Sequence, residues 1–332
     1  MSKTICIYHS IDLDGWMSGA IVKHWWKSQN KLNGQQVDDQ IVIEEGEPDV
    51  IVSPFGTLSM LGWNHGDDIP DLSGYDKIII CDITFPTNVM TDIWHNLSQE
   101  LVWIDHHESS IDNNSALVFE GIQDTKFAAC ELTWKYFFPN EPMPEIVRLL
   151  GRYDCFGHKG TDEETKVIEF QYGARQLISN YSQAFNWLMM ELQFNWGTTH
   201  KFDKHPITEI LEQGKPIYKY LCTEAKYIYR MGKEVELVEP TNEMLDGCST
   251  RRRKFIAINR SRFNPDNFGI DYHADGYDGV LSYCYNKDKF TASLYSDTVD
   301  CSVIARTFNG GGHKGAAGFI GDVTLFNNIL KW

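Results

Sequence analysis

Carboxylate and imidazole side chains stand where three apolar, strand-like runs of this chain end. Thr4-Ile5-Cys6-Ile7-Tyr8 runs into His9-Ser10-Ile11-Asp12-Leu13-Asp14-Gly15. Lys77-Ile78-Ile79-Ile80-Cys81 runs into Asp82, and Leu101-Val102-Trp103-Ile104 into Asp105-His106-His107. In an open parallel sheet the carboxyl ends of the strands line one crevice, so groups far apart in sequence meet there. Aspartate and histidine both offer lone pairs at neutral pH. Such a nitrogen and oxygen set suits Mn²⁺, with Mg²⁺, Co²⁺ or Zn²⁺ as alternatives. Two ions about 3.5–4 Å apart, joined by a bridging carboxylate, can hold a hydroxide and clamp the attacking and leaving oxygens of a phosphoryl transfer. Singly, each element has a plainer reading: Asp12 to Gly15 as a turn or helix cap, Asp82 as a strand end. Three such groups ending three successive strands are not explained by turn chemistry.

The elements that must position these groups are legible as alternating patterns. After His9, apolar residues recur at helical spacing from Gly15 to Ser28, and the Trp25-Trp26 pair reads as packing. Ile41-Val42-Ile43 and Val50-Ile51-Val52 are short strand candidates ahead of the two clearer strands. Strands interleaved with helices imply βαβ units and a mostly parallel sheet, an α/β domain with flanking helices. Beyond Asp124 the pattern is chiefly helical, over 128–138, 145–152, 163–176 and 182–194. The stretch from Asn195 to His205 reads as a boundary, and Ile207 to Arg230 as a long connecting helix ended by Gly232. Strand candidates then fall near 234–238, 255–258, 279–285 and 290–294, with a helix over 301–308 and a terminal helix from Val323. This is a smaller α+β domain. The expected division is 1–197 for the metal-binding domain, 198–231 for the linker and helix, and 232–332 for the substrate-binding domain.

Composition narrows the function. The chain has 332 residues, 42% apolar and 23% charged, as in a soluble globular protein of two ordinary domains. Its start lacks the basic and apolar segments of a signal peptide, and no apolar run approaches the roughly 20 residues of a membrane span. A cytoplasmic protein without membrane contact is expected. Its eight cysteines stand singly, without metal-finger spacing, and read as small core residues in a reducing compartment. A net charge of −16 argues against coating long nucleic acid, an affinity that rests on many Lys and Arg contacts with phosphates. Arg251, Arg252, Arg253, Lys254, Arg260 and Arg262 form a local cationic tract without an acid. It reads first as a solvated loop and second as a phosphate-steering surface.

Taken together, these motifs resemble the DHH/DHHA1 phosphoesterases, a family named for the triplet present here as Asp105-His106-His107 and including nanoRNase/oligoribonuclease-like and RecJ-related members. The resemblance covers nearly the whole chain. The first motif corresponds to His9, Asp12 and Asp14, the second to Asp82, the third to the triplet, and the fourth to Asp154 in Gly151-Arg152-Tyr153-Asp154. The resemblance implies that His9, Asp12 and Asp82 serve one ion, and Asp14, Asp82, His106 and Asp154 the other, with Asp82 bridging. It implies that Asp105 orients a ligand from behind, and that His107 meets the reacting phosphate as donor or as acid for the leaving group. Many members carry three residues between the His and the first Asp, where this chain has only Ser10 and Ile11.

The family's Gly-rich motif appears as Phe308-Asn309-Gly310-Gly311-Gly312-His313. Glycines let backbone approach a ligand, and successive amides can form an anion-binding concavity. The resemblance implies that Gly310, Gly311, Gly312, His313, Lys314 and Arg306 hold the distal end of the substrate. Relatives often carry Ser-Leu-Arg-Ser ahead of this loop, whereas this chain has Ser293-Leu294-Tyr295-Ser296 and lacks that bidentate donor. The expected activity is that of a Mn²⁺-dependent two-metal phosphodiesterase with its site in the interdomain cleft. It would cut short single-stranded oligonucleotides or dinucleotides to mononucleotides by attack of metal-bridged hydroxide, without stable duplex binding. The rivals are a cyclic-dinucleotide phosphodiesterase, a polyphosphate or pyrophosphate hydrolase, and a non-catalytic nucleotide-binding protein. A homodimer is compatible with the sequence.

Overall fold

The computed structural model describes residues 2–31, 41–42, 49–53, 56–96, 99–197, 204–240, 250–261, 263–286 and 288–330. Ile43, Cys248, Arg262 and most of the 195–205 boundary lie outside the described residues. The chain divides into two compact units, Met1–Tyr218 and Lys219–Trp332. Among the described residues no helix is long and apolar enough to cross a membrane. The described cysteines are all free thiols, and Cys6, Cys81, Cys130 and Cys301 are buried.

The first unit contains β1 (Ser2–His9), α1 (Leu13–Lys31), β2 (Ile41–Val42), β3 (Asp49–Ser53), β4 (Gly56–Trp63), β5 (Lys77–Cys81), α2 (Thr87–His95), β6 (Glu100–Ile104) and α3 (Glu108–Asn113). Helices α4 (Ala129–Phe137), α5 (Glu145–Asp154), α6 (Glu164–Leu177) and α7 (Tyr181–Asn195) follow, and the unit boundary falls within α8 (Pro206–Arg230). The sheet order is β2-β3-β4-β1-β5-β6. The β4–β1, β1–β5 and β5–β6 pairs are parallel, and β3 runs antiparallel to both its neighbours. This is the expected α/β sheet, with β1, β5 and β6 side by side.

Both faces of the sheet are covered, which is why these strands read as continuous apolar runs. Side chains alternate between faces. Ile5, Ile7, Ile78, Ile80, Leu101 and Trp103 pack with Met90 and Ile93 of α2. The intervening Cys6, Tyr8, Ile79, Cys81, Val102 and Ile104 pack with Val22 and Trp26 of α1, Leu132 of α4 and Tyr181 of α7. Trp25 and Trp26 lie edge to face at 6.1 Å within this packing, as expected of a core pair.

The second unit adds β7 (Lys233–Pro240), β8 (Thr250–Asn259), β9 (Gly279–Asn286), β10 (Lys289–Tyr295), α9 (Cys301–Thr307), β11 (Gly311–Gly312), β12 (Ala316–Gly321) and α10 (Val323–Leu330). Its sheet order is β11-β12-β10-β9-β8-β7. Phe255, Ala257, Leu281 and Tyr283 face Ile304 of α9 and Phe326 of α10. Ile256, Ile258 and Val280 face Ala225 and Tyr229 on the opposite side.

The cationic tract is not the solvated loop expected from its composition. Arg251 to Lys254 lie in β8, antiparallel to the acidic β7. Arg252 pairs with Glu236 at 2.8 Å, Arg253 with Glu239 at 2.7 Å and Asp278 at 3.4 Å, and Lys254 with Glu234 at 3.5 Å. Arg260 pairs with Glu224 at 2.9 Å. Opposite charges facing each other across a strand pair stabilise the pairing, and here they neutralise much of the tract.

The approach of α1 to β1 allows little volume. A Cβ on Gly15 would fall 2.0 Å from the carbonyl oxygen of His9. Gly15→Ala must therefore push the first turn of α1 away from the strand end, at a cost of about 1–3 kcal/mol for an overpacked site. The expected outcome is a Tm lowered by roughly 2–8 °C in thermal unfolding, with weakened divalent-ion binding in calorimetry.

Candidate metal centre

The motif residues from four separate stretches converge in the first unit. His9 ends β1, and Asp12 and Asp14 flank the start of α1. Asp82 directly follows β5, Asp105 to His107 follow β6, and Asp154 ends α5. Nδ1 of His9 lies 2.9 Å from Oδ2 of Asp12 and 3.4 Å from Oδ2 of Asp82. Nε2 of His106 lies 3.5 Å from Oδ2 of Asp14, 3.4 Å from Oδ1 of Asp82 and 3.3 Å from Oδ2 of Asp154. The two oxygens of Asp82 thus face different histidines: Oδ2 faces His9, which groups with Asp12, and Oδ1 faces His106, which also groups with Asp14 and Asp154.

Backbone geometry aims each group. Asp82 adopts φ +63°, a left-handed conformation uncommon outside glycine and more accessible to Asp and Asn than to most residues. Its amide donates to the Ile104 carbonyl at 2.9 Å, tying it to the end of β6. Asp12 also caps α1, since its Oδ1 accepts the Gly15 amide at 3.0 Å. The plain reading of that aspartate as a helix cap and the ligand reading therefore coexist. Asp14 accepts the Ala129 amide at 3.0 Å and the Cys130 amide at 2.8 Å, which anchors it to the first turn of α4. Glu131, also in that turn, packs against Gly151 of α5, where a Cβ would meet its side chain at 2.5 Å. At the other end of α5, Glu191 accepts the amides of Glu145 and Ile146 at 2.7 and 2.8 Å.

Asp105 is fully buried. Its Oδ1 accepts the amides of His106 and His107 at 2.8 and 3.2 Å, and Nδ1 of His107 donates to it at 2.7 Å. The ring it grips is that of His107, whose Nδ1 also lies 4.0 Å from Oδ1 of Asp82. His107 forms a third possible ligand group with Asp82 and His106. Sequence reasoning placed His107 only against the substrate. Two residues beyond Asp154, Phe156 has φ +57° and is 60% exposed. No sequence signal marks a phenylalanine held in that conformation.

The donor set fits divalent cations. Ligand atoms about 2.1 Å from one ion stand about 3 Å from each other at right angles, and the closest approaches here run from 2.9 to 3.5 Å. Nδ1 of His9 and Nε2 of His106 are buried without making a hydrogen bond, despite the carboxylate oxygens around them. Among the described residues, the ion pairs of Asp12, Asp14, Asp82 and Asp154 are all with histidines.

Crowding shifts the titrations. Burial, then the charge of Asp82, pushes the Asp14 carboxyl up to about 7. Burial also raises Asp82 and Asp154, each with neighbouring carboxylates adding to the effect. Contacts with Asp12 and Asp82 raise His9 to about 10. Burial opposes protonation of His106, but Asp82, Asp14 and Asp154 outweigh it and raise that ring to about 10. His107 is raised by its bond to Asp105.

In the second unit Gly311 and Gly312 form β11 beside β12, and Arg306, His313 and Lys314 are exposed. The Gly310 and His313 amides bond the carbonyls of Ala305 and Ala316, at 2.9 and 2.8 Å. Tyr295, in place of the relatives' arginine, is half-buried at the end of β10.

No family model matches the chain. Among curated proteins it is similar to the uncharacterized protein R106 of Acanthamoeba polyphaga mimivirus, 24% identical over 331 residues. That match takes in 95% of this chain and 66% of the relative, so the chain spans about two thirds of the relative's length. Similar solved structures include a pGpG-specific phosphodiesterase, PggH, from Vibrio, 11% identical at a TM-score of 0.49 over 99% of this chain and 96% of that one. They also include exonuclease RecJ bound to manganese, 12% identical at 0.46 over 98% and 87%. A third is an exopolyphosphatase-related protein from Bacteroides fragilis, 15% identical at 0.45 over 96% and 86%.

The protonation pattern sets a sign for the effect of pH. His9 and His106 hold protons more tightly folded than unfolded, so their stabilisation of the metal-free fold is complete below about 6.5 and fades as pH rises toward about 10. Asp14 also binds its proton more tightly when folded, and its ionisation between 3.8 and about 7 costs stability. Cations replace these protons, so their affinity rises over the same window. The gap between Tm in Mn²⁺ and Tm in chelator is expected to widen by roughly 5 °C or more from pH 6 to 9. Calorimetry in buffers of different ionisation enthalpy should record roughly two protons released on metal binding at pH 7.5. A gap independent of pH would contradict this assignment.

Proposed function

We propose that the protein is a two-metal phosphodiesterase of the DHH/DHHA1 kind that hydrolyses short oligonucleotides or dinucleotides to mononucleotides. The observation that carries this reading is the opposed aim of the two Asp82 oxygens, one toward His9 and Asp12, the other toward His106. A carboxylate so placed is suited to bridge two ions, with His9 and Asp12 on one side and Asp14, His106 and Asp154 on the other. Such ions supply Lewis acidity, a nucleophile from water at neutral pH, and positive charge for the phosphate oxygens. Mn²⁺ is the first choice for this donor set.

The chain's own groups supply the rest. His107 has 46% of its side chain exposed, and its bond to Asp105 raises its pKa, which favours the protonated ring. It is suited to give a proton to a departing alkoxide oxygen, while Asp105 fixes the ring and compensates the imidazolium. The −16 net charge disfavours long duplexes and leaves short strands as the better substrate class. Gly310 to Gly312, His313, Lys314 and Arg306 are proposed to meet the far end of the substrate.

Asp82→Asn suits the left-handed backbone better than Asp82→Ala and removes the bridging charge. It should lower dinucleotide hydrolysis in Mn²⁺ about 10³-fold or more, while the metal-free fold keeps or gains stability as a buried repulsive charge is lost. A near-normal rate would rule out the two-metal reading. His107→Gln should lower kcat by about 10²–10⁴-fold with metal stoichiometry unchanged in calorimetry. A lost ion would make His107 a ligand instead. Assays of a dinucleotide, a cyclic dinucleotide and pyrophosphate in Mn²⁺ separate the hydrolase readings. Tight nucleotide binding without product would favour a binding protein.

A further inference from the structure

A second concavity opens on the strand-end edge that carries His9, Asp82 and His106, but over the opposite face from α1 and α4. One wall begins at Trp63, which ends β4 in register with His9 of β1. Another is Thr84 to Thr87, which follow Asp82 and lead into α2. The third is α3, which starts directly after His107 and contributes Ser109, Ser110 and Asn113. The cavity holds about 550 Å³, within the range of small-molecule sites.

Its lining is aromatic below and neutral polar above. Trp63 and Phe85 are 4% and 1% exposed and meet edge to face at 4.8 Å. His65 stands edge to face with Trp63 at 5.7 Å, and Ile69 is 40% exposed at the rim. Hydroxyls and amides come from Thr84, Thr87, Ser109 and Asn113. Asn114 is 3% exposed, and its Oδ1 has no hydrogen-bond partner. Among the described residues no Lys or Arg lines the cavity and the one carboxylate that does, Asp67, accepts the Asn64 amide at 2.9 Å. A wall without a fixed cation does not suit phosphate. The cavity's volume suits a flat ring, and the neutral hydroxyls and amides around it suit the hydrogen-bonding edges of such a ring.

We infer that this cavity receives the nucleobase on the leaving-group side of the scissile phosphate. The inference rests on the phosphodiesterase reading and on position: Nδ1 of His107 lies 4.0 Å from Asp82, and His107 directly precedes the helix that forms one wall. A nucleotide leaving past His107 would carry its base over α3 toward Trp63 and Phe85.

Two plugging variants on different elements test this, Asn113→Trp and Thr87→Trp, both at exposed positions. Ligand-observed NMR with adenosine and uridine, which carry no phosphate, should show binding to the wild type, with ribose giving none. Each plug should weaken nucleoside binding by about tenfold, the equivalent of about 1.4 kcal/mol of lost contact. Each should raise KM for a dinucleotide by a similar factor, yet leave kcat/KM unchanged for a dinucleotide abasic on the leaving side. Nucleoside binding at wild-type strength in both plugs overturns the inference, as does equal loss on intact and abasic substrates. If the plugs abolish nucleoside binding while the wild type turns over no dinucleotide, the cavity assignment stands and the hydrolase reading falls.

Discussion

Four carboxylates that, among the described residues, have no lysine or arginine partner form the constraint on which the rest of the first unit depends. Two unit charges 4 Å apart repel by about 4 kcal/mol in surroundings typical of a protein surface. Asp12, Asp14, Asp82 and Asp154 all approach His9 or His106 within 3.5 Å. Without cations the chain tolerates this only by retaining protons, on His9 and His106 and partly on the buried aspartates. The parallel strands, the glycine under α1 and the amides at the start of α4 all act to hold that repulsive set in place.

That arrangement uses polar groups twice. Asp12 is at once a helix cap and a candidate ligand, and Asp14 is fixed by two amides while its Oδ2 faces His106. Asp105 turns a surface histidine into an oriented one by accepting from its ring and from two backbone amides. Metal sites commonly depend on such outer hydrogen bonds. The same edge of the sheet then presents two chemically distinct neighbours, an anionic cluster over one face and a neutral, aromatic-floored cavity over the other.

Much of this was legible in the sequence, for specific reasons. β1, β5 and β6 are buried on both faces, so they appear as unbroken apolar runs whose ends are easily seen. β4 was missed because small polar residues break its run, although Ser59 is buried within it. The Arg251 to Lys254 tract looked like a loop because the acids that make it a strand lie on β7, beyond the reach of local pattern. Five of the six candidate ligands, His9, Asp12, Asp14, Asp82 and His106, stood out as residue types at strand ends, whereas Asp154 was named only through the family resemblance. That Asp105 would grip His107 depends on geometry after a turn, which spacing does not encode. The cavity was invisible, since Trp63, Thr87 and Asn113 are unremarkable singly and become neighbours only through the fold.

The two central aspartates differ in how replaceable they are. At Asp82 the left-handed backbone accommodates asparagine, and its loss removes charge from a crowded interior. At Asp14 both oxygens receive amide protons, so an asparagine there would turn an NH₂ group against one of two N–H groups and unseat α4. Exchange of the carboxylate for an amide is therefore tolerated by the backbone at the first position and opposed by two amide donors at the second.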